Sequence, residues 1–335
     1  MRILSLAPLA GPGFQKLLRH GQVELDPWDE REPIRLHDPD ELAERLAGVE
    51  VLLVEADRVS AEVIERAPDL RIIGTCRGDP VNVDIAEATR AGIPVIRAPG
   101  RNADAVSELT IAFILALLRG VVQADDDIRA GRWVVDQRIP QQRFRSRELW
   151  TMTVGLVGCG AVGRATARRL VALGCRVLGF DPYVDAGALR ELDIEPVGLK
   201  ELLQASDVVS IHAVVTDETI GLIGEGEMGL MKHGAYLVNT ARYAIVDEQP
   251  MLDALRDGRL AGAAFDHFEG EFLMPDHPLI SMPNVILTPH IGGQTVQTIE
   301  NHTQAMAEGL DALLSGRRPP NLVNTPAFES FVARR

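Results

Sequence analysis

Two residues, Arg242 and His290, combine a permanent cation with a group that exchanges a proton near neutral pH. His290 follows the apolar run Val285–Leu287 through Thr288-Pro289 and precedes Gly292-Gly293. That context puts it at the carboxyl end of a strand, where open α/β sheets hold their ligands. Arg242 follows the run Ala235–Val238 through Asn239-Thr240-Ala241, which aims it at the same end of a sheet. The planar fork of a guanidinium can grip a carboxylate and a carbonyl oxygen together. Taken singly, a loop histidine is more often structural, and an arginine after a strand more often makes a surface ion pair. The pair together suits proton exchange on an acidic substrate.

A third feature supplies the partner chemistry. The run Thr153–Val157 leads into Gly158-Cys159-Gly160-Ala161-Val162-Gly163, and a helical pattern follows. Gly158 permits the tight turn, Gly160 lets backbone approach a pyrophosphate, and Gly163 lets helix pack on strand. The amides of Ala161 and Val162 open the helix and would face phosphates. The next strand ends at Asp181, 18 residues beyond Gly163, near the spacing of an acid that binds a ribose 2′-hydroxyl. A carboxylate there repels a 2′-phosphate, so NAD is expected rather than NADP. The plainer reading of Asp181 is a turn aspartate before Pro182. NAD carries the hydride, and the protein is left to hold the substrate and manage one proton.

The sequence holds eight histidines. His212 ends the run Val208–Ile211 and is expected to line the cofactor cleft. His20, His37, His233 and His302 read as surface or helix positions. The stretch Ala261–Glu271 begins as a buried small-residue strand and ends in acids. Asp266, His267, Glu269, Glu271, Asp276 and His277 could bind metal, but their spacing matches no zinc motif, so no metal is expected.

The elements that must position these groups are short apolar runs alternating with helical patterns. Val49–Val54, Leu70–Gly74, Pro94–Ile96 and Arg176–Phe180 read as further buried strands, and Asp40–Leu46, Ala105–Leu118 and Val162–Leu173 as helices. Such alternation implies parallel sheets covered on both faces. It occurs once before residue 100 and again after residue 150, and 335 residues suit two domains. Residues 121–150 read as a long connection without a convincing period, expected to be an arm onto a second subunit. Beyond Pro319-Pro320 no strong pattern appears. A formal charge of −14 argues against nucleic-acid binding. The longest apolar run, Ile111–Leu118, is far too short for a membrane span. The first residues lack a secretory pattern, and three scattered cysteines form no disulfide framework, so a cytoplasmic setting is expected.

At this level of detail the chain resembles the D-isomer-specific 2-hydroxyacid dehydrogenases, near the branch of D-3-phosphoglycerate dehydrogenase and hydroxypyruvate reductase. The resemblance rests on Val81–Asp84, Pro99–Glu108, the glycine turn, Asp207–His212, Asn239–Arg242, Asp266–Glu271 and Leu287–Gly293. It implies that Arg242 binds the substrate carboxylate and carbonyl, that His290 is the acid/base, and that Glu271 pairs with His290. It places Asp266 at the nicotinamide carboxamide. Gly158, Gly160, Ala161, Val162, Gly163, Asp181, His212, Thr240, Ala241, Gly292 and Gly293 complete the expected cofactor set. Arg77, Gly78 and Asn102 are implied in substrate binding, and Arg101 is a further cation beside them. The implied architecture is two Rossmann-like, doubly wound α/β domains with an interdomain active-site cleft. A flavodoxin-like substrate-binding domain, residues 1–101 plus 296–335, would accompany an NAD-binding domain, residues 102–295, in a homodimer joined through the 121–150 arm.

Four positions qualify that picture. Tyr243 stands where the family usually has glycine and is expected to narrow or reshape the pocket. Phe272 replaces the usual proline and is expected to loosen its loop. Arg77 and Arg101, if both face substrate, would favour one with a second anionic group, as in a phosphoglycerate; the plainer reading is surface ion pairing. A rival function is that of a non-catalytic, NAD-sensing corepressor, a binding protein of the same fold. Formate oxidation needs no proton relay, and its enzymes carry glutamine at the position of Glu271.

Overall fold

The computed structural model describes residues 1–334. The chain separates into two compact units, Met1–Asn102 together with Thr295–Arg335, and Ala103–Gln294.

The first unit carries β1 (Arg2–Ser5), β2 (Gln22–Leu25), β3 (Val51–Val54), β4 (Ile72–Thr75) and β5 (Val95–Ile96). They form one parallel sheet in the order β2-β1-β3-β4-β5, the doubly wound order of flavodoxin-like folds. Its central strand, Val-Leu-Leu-Val, is buried at every residue, as a parallel strand covered on both faces must be. Alternation divides its side chains: Leu52 and Val54 meet Leu42, Leu46 and Val63, whereas Val51 and Leu53 meet Met306, Leu310 and Leu313. The second set comes from the helix Val296–Leu314, started by Thr295, whose side chain accepts from the Thr298 amide. The tail holds the helix Thr325–Ala333, which the sequence pattern did not announce. Its Phe331 is buried beside Ile72 and Leu313.

Two histidines read as surface or helix positions are interior. His37 Nδ1 lies 3.0 Å from Asp57 Oδ1 and its Nε2 3.3 Å from Asp26 Oδ2. Asp57 is itself fully buried and held by Arg31, so a polar network occupies what read as a loop surface. His302 does lie on a helix but is fully buried; its Nε2 donates to the Pro8 carbonyl and its Nδ1 faces Arg101.

The second unit carries β6 (Thr153–Val157), β7 (Arg176–Phe180), β8 (Ile194–Pro196), β9 (Val208–Ile211), β10 (Ala235–Asn239), β11 (Leu260–Phe265) and β12 (Val285–Leu287). All pair in parallel, in the order β12-β11-β10-β9-β6-β7-β8. Strand order reverses between β6 and β9, which is where a Rossmann-type sheet opens its ligand crevice. Phe113, Ile114 and Leu118 of the helix Ala103–Arg119 cover one face with Val154 and Leu156 of β6. Leu202, Met251 and Leu255 cover the other with Val209 and Ile211 of β9.

Residues 121–150 are not the unstructured connection their composition suggested. They contain the helix Val121–Arg129 and a short turn of helix at Pro140–Arg143. Asp127 draws them together, accepting hydrogen bonds from Arg132 and Arg143, so charge pairing replaces the apolar period that was sought. Among the described residues no single helix is long and apolar enough to cross a membrane.

Candidate active site

The glycine turn is built as its spacing requires. Gly158 sits at φ 96°, and a Cβ there would lie 2.5 Å from the Ala213 nitrogen. A Cβ on Gly163 would lie 2.2 Å from the Gly158 carbonyl oxygen, so the helix Ala161–Ala172 packs down only because that side chain is missing. Gly160, by contrast, faces open space. It starts the helix without any side-chain cap, leaving the first-turn N–H groups, those of Ala161 and Val162 among them, directed at whatever occupies that space. Asp181 stands beside the turn: one carboxylate oxygen accepts from the Cys159 amide at 2.8 Å, the other from Tyr183 at 2.9 Å. The acid thus serves as a turn aspartate and still lines the cradle. An uncapped helix start, an unfilled approach at Gly160 and an acid at the next strand end together fit a dinucleotide.

His212 follows β9, and its backbone amide donates to the Val157 carbonyl at 2.7 Å. Its Nε2 lies 2.9 Å from Ser210 Oγ, and its Nδ1 is buried without a hydrogen-bond partner. Burial pushes its pKa down to about 4, so the ring is neutral at physiological pH.

Arg242 follows β10 and is exposed. Asn239 holds its backbone: the side-chain amide donates to the Arg242 carbonyl at 2.9 Å while its oxygen accepts from the Ala241 amide at 3.0 Å. Thr240, the residue between, shares a buried hydroxyl contact of 2.9 Å with Thr110. Arg242 Nη1 donates to the Ala241 carbonyl at 2.8 Å. Tyr243 is half-buried. Its ring turns onto Phe265 and Phe268, with centroids 5.6 Å from each, and its hydroxyl donates to Glu248.

Glu271 and His290 meet directly. His290 Nδ1 lies 2.7 Å from Glu271 Oε1. Both residues hold left-handed backbone conformations, φ 58° and 54°, an arrangement that costs about 1–3 kcal/mol per non-glycine residue and clusters at functional sites. Asp266 secures the loop that carries His290. Its buried carboxylate accepts from Thr288 Oγ1 at 2.5 Å, Ile291 N at 2.8 Å and Gly292 N at 2.7 Å. Gly293 follows on the same turn. Phe272, after Glu271, is exposed.

His267 completes the cluster; in the sequence it was weighed only as a metal ligand. Its Nε2 lies 3.4 Å from Glu271 Oε1, and its ring centre is 4.9 Å from that of His290. Burial, then the Arg242 cation, hold its pKa below the usual histidine value, and the charge of His290 adds to that effect. His267 thus stands within reach of the charges of Arg242, Glu271 and His290 at once. Asn239 and Thr288 stood in the quoted motifs without a role of their own, although a polar side chain immediately after an apolar run was the signal available for both.

In the first unit, the Arg77 carbonyl accepts from the Ala98 amide at 2.8 Å and the Gly78 carbonyl from Arg97 Nη1 at 2.9 Å. Arg101, expected as an extra substrate cation, is engaged by its neighbours. Its Nη2 lies 2.5 Å from Glu55 Oε1 and its Nη1 2.7 Å from His302 Nδ1, and the side chain is 17% exposed. The Asn301 side chain caps the Arg101 carbonyl at 2.9 Å, and Asn102 ends the segment.

Residues 111–292 match the family described as D-isomer specific 2-hydroxyacid dehydrogenase, NAD binding domain. The chain is 41% identical to a glyoxylate reductase of Thermofilum pendens over 281 residues, 82% of this chain and 80% of that protein. It is 36% identical to a D-3-phosphoglycerate dehydrogenase of Archaeoglobus fulgidus, covering 98% of this chain but only 60% of that longer protein. Among solved structures, the TT0316 protein from Thermus thermophilus superposes with a TM-score of 0.81 at 37% identity, over 96% of this chain and all of that one. The chain belongs to the D-isomer specific 2-hydroxyacid dehydrogenase family and is an NAD-dependent oxidoreductase.

Proposed function

We propose that the chain interconverts a small 2-keto acid and its D-2-hydroxy acid, with Arg242 as the substrate-binding cation, His290 as the acid/base and Glu271 as its partner. NAD(H), when bound, supplies or accepts the hydride. Arg242 holds the substrate carboxylate and polarises the oxygen at C2. In the reducing direction His290 delivers a proton from Nε2 to that oxygen, and in the oxidising direction it takes the proton back. Its Nδ1 faces Glu271, which orients the ring and compensates the charge of the imidazolium. Gly158, Gly160, Gly163, Ala161 and Val162 cradle the pyrophosphate, and Asp181 selects the unphosphorylated ribose.

The observation that carries this reading is the 2.7 Å contact between Glu271 and His290 at the ends of two neighbouring strand connections. Substrates of the glyoxylate or hydroxypyruvate kind are preferred to phosphorylated ones. Arg101 is neutralised by Glu55, which removes one of the two cations that argued for a second anionic group. The match to the glyoxylate reductase also spans more of the relative's length. NADH oxidation measured over glyoxylate, hydroxypyruvate, phosphohydroxypyruvate and 2-ketoglutarate tests the proposal. Turnover with the first two, falling by roughly tenfold or more in kcat/KM for Arg242→Lys because lysine lacks the fork, is expected. NADH binding with no turnover on any of them would favour the corepressor-like alternative.

A second copy of the chain is the proposed partner of the 121–150 segment. Val121, Val122, Ile128, Trp133, Val134 and Ile139 are each more than 40% exposed, an apolar surface of the kind that marks an interface. Sedimentation of the wild type as a dimer, and of Trp133→Asp as a monomer, is expected.

A further inference from the structure

One oxygen of Glu271 lies between two imidazoles, 2.7 Å from His290 Nδ1 and 3.4 Å from His267 Nε2. Donor atoms of these three residues all fall within 4.8 Å of one another. His267 turns Nε2 toward that oxygen, and its Nδ1, buried with no hydrogen-bond partner, carries the ring's one proton once Nε2 binds a cation. We propose that His267, Glu271 and His290 form a site for a divalent transition metal of the zinc type, and that its occupation shuts off turnover.

The donor set is two imidazole nitrogens and one carboxylate, the three-ligand combination that zinc accepts with a fourth position left open. Around a tetrahedral zinc with bonds of about 2.0–2.1 Å, neighbouring ligand atoms stand about 3.3 Å apart. The 3.4 Å separation already meets that figure, the 2.7 Å contact must open, and the two imidazole nitrogens, within 4.8 Å of each other, must settle at the same spacing. The side chains of Glu271 and His290 are 55% and 42% exposed, which leaves them room for the adjustment, while the more enclosed His267 supplies the rigid corner. Magnesium and calcium, which prefer all-oxygen shells, do not suit two imidazoles. The third ligand, His290, stands 19 residues beyond Glu271, outside the stretch whose spacing was weighed for metal, and Asp266, the nearest other acid, is spent on Thr288, Ile291 and Gly292.

The consequence for turnover rests on the acid/base reading of His290. A metal on Nδ1 takes the place of the proton shared with Glu271, and the proton left on the neutral ring sits on Nε2. That nitrogen then has no lone pair to accept the substrate's hydroxyl proton, and the ring no longer reaches the imidazolium state that donates one.

The probes are zinc chloride and cobalt(II) chloride, added to metal-free enzyme in a non-chelating buffer. Calorimetry is expected to show one saturable zinc site per chain, cobalt to give the intense visible bands of a four-coordinate ion, and zinc inhibition to reverse with EDTA. His267→Asn and His267→Gln should weaken zinc binding and raise the inhibitory zinc concentration by roughly tenfold or more. The two variants differ in side-chain length, and their melting curves report whether either misfolds. If neither folds, the wild-type cobalt spectrum and its loss in Glu271→Gln decide the matter. No saturable binding, or binding unaltered by these substitutions, overturns the site. Binding without inhibition overturns the shut-off. Failure of the acid/base reading is distinguished by the metal-free enzyme, whose turnover the His290→Ala substitution would then leave intact.

Discussion

Glu271 and His290, 19 residues apart in sequence, place a carboxylate oxygen 2.7 Å from an imidazole nitrogen. Each lies just beyond a strand of the same parallel sheet, β11 and β12, whose residues Phe265 and Leu287 are paired in register. The sheet register therefore sets the spacing of acid and base. His290→Ala should lower kcat by about 10²–10⁴-fold while the NADH dissociation constant, read by fluorescence titration, stays within about twofold of wild type. Glu271→Gln should lower kcat less, because an amide still orients the ring but cannot compensate its positive charge.

Asp266 acts through the loop it holds. Three hydrogen bonds to a buried carboxylate make its replacement costly, since a bond to a charged group contributes about 1.5–3 kcal/mol. Asp266→Asn offers one oxygen in place of two and turns an amino group toward N–H donors. A loss of about 2–4 kcal/mol in denaturant unfolding is expected, with a fall in kcat from the displaced His290. A large rise in the NADH dissociation constant with little change in stability would instead show direct cofactor contact.

Asp181 combines two duties that one pair of variants separates. Asp181→Asn keeps an acceptor for the Cys159 or Tyr183 amide while removing the charge. It should raise the ratio of NADPH to NADH in kcat/KM by roughly tenfold, about 1.4 kcal/mol. Asp181→Ala should change that ratio similarly but also weaken both cofactors, because the glycine turn loses its support. An unchanged ratio in both would mean that another residue discriminates the ribose.

His212 gives the fold an acid limit. Burial lowers its pKa to about 4, against about 6.5 in an unfolded chain. Between these values the unfolded state binds the extra proton, so stability is complete above about pH 6.5 and declines as pH falls toward 4. A difference of this size amounts to about 3 kcal/mol. Urea unfolding at pH 7 and pH 4.5 should show the loss, and His212→Asn should flatten this part of the pH dependence.

Much of the second unit was legible residue by residue. The runs Thr153–Val157, Arg176–Phe180 and Val208–Ile211 are strands with those same ends, because buried parallel strands are continuous apolar runs that glycine or polar residues stop sharply; the half-buried edge strand Val285–Leu287 also keeps its ends, being apolar throughout. β1, β2 and β8 were missed. β2 and β8 are edge strands of mixed composition, where one-sided burial relaxes the demand for apolar residues. The helices Val121–Arg129 and Thr325–Ala333 were missed because each is only nine residues long, too short for a repeating apolar stripe to stand out.

Local sequence was sufficient for the glycine turn, for its helix and for the acid at the next strand end, since all three depend on backbone sterics within about 30 residues. It was also enough to place Arg242 and His290 after strands. The engagement of Arg101 by Glu55 and His302, the turning of Tyr243 onto Phe265 and Phe268, and the meeting of His267, Glu271 and His290 were decided only by folding. Each depends on which residues far apart along the chain become neighbours. That follows from sheet order and register, which a strand's own composition does not encode.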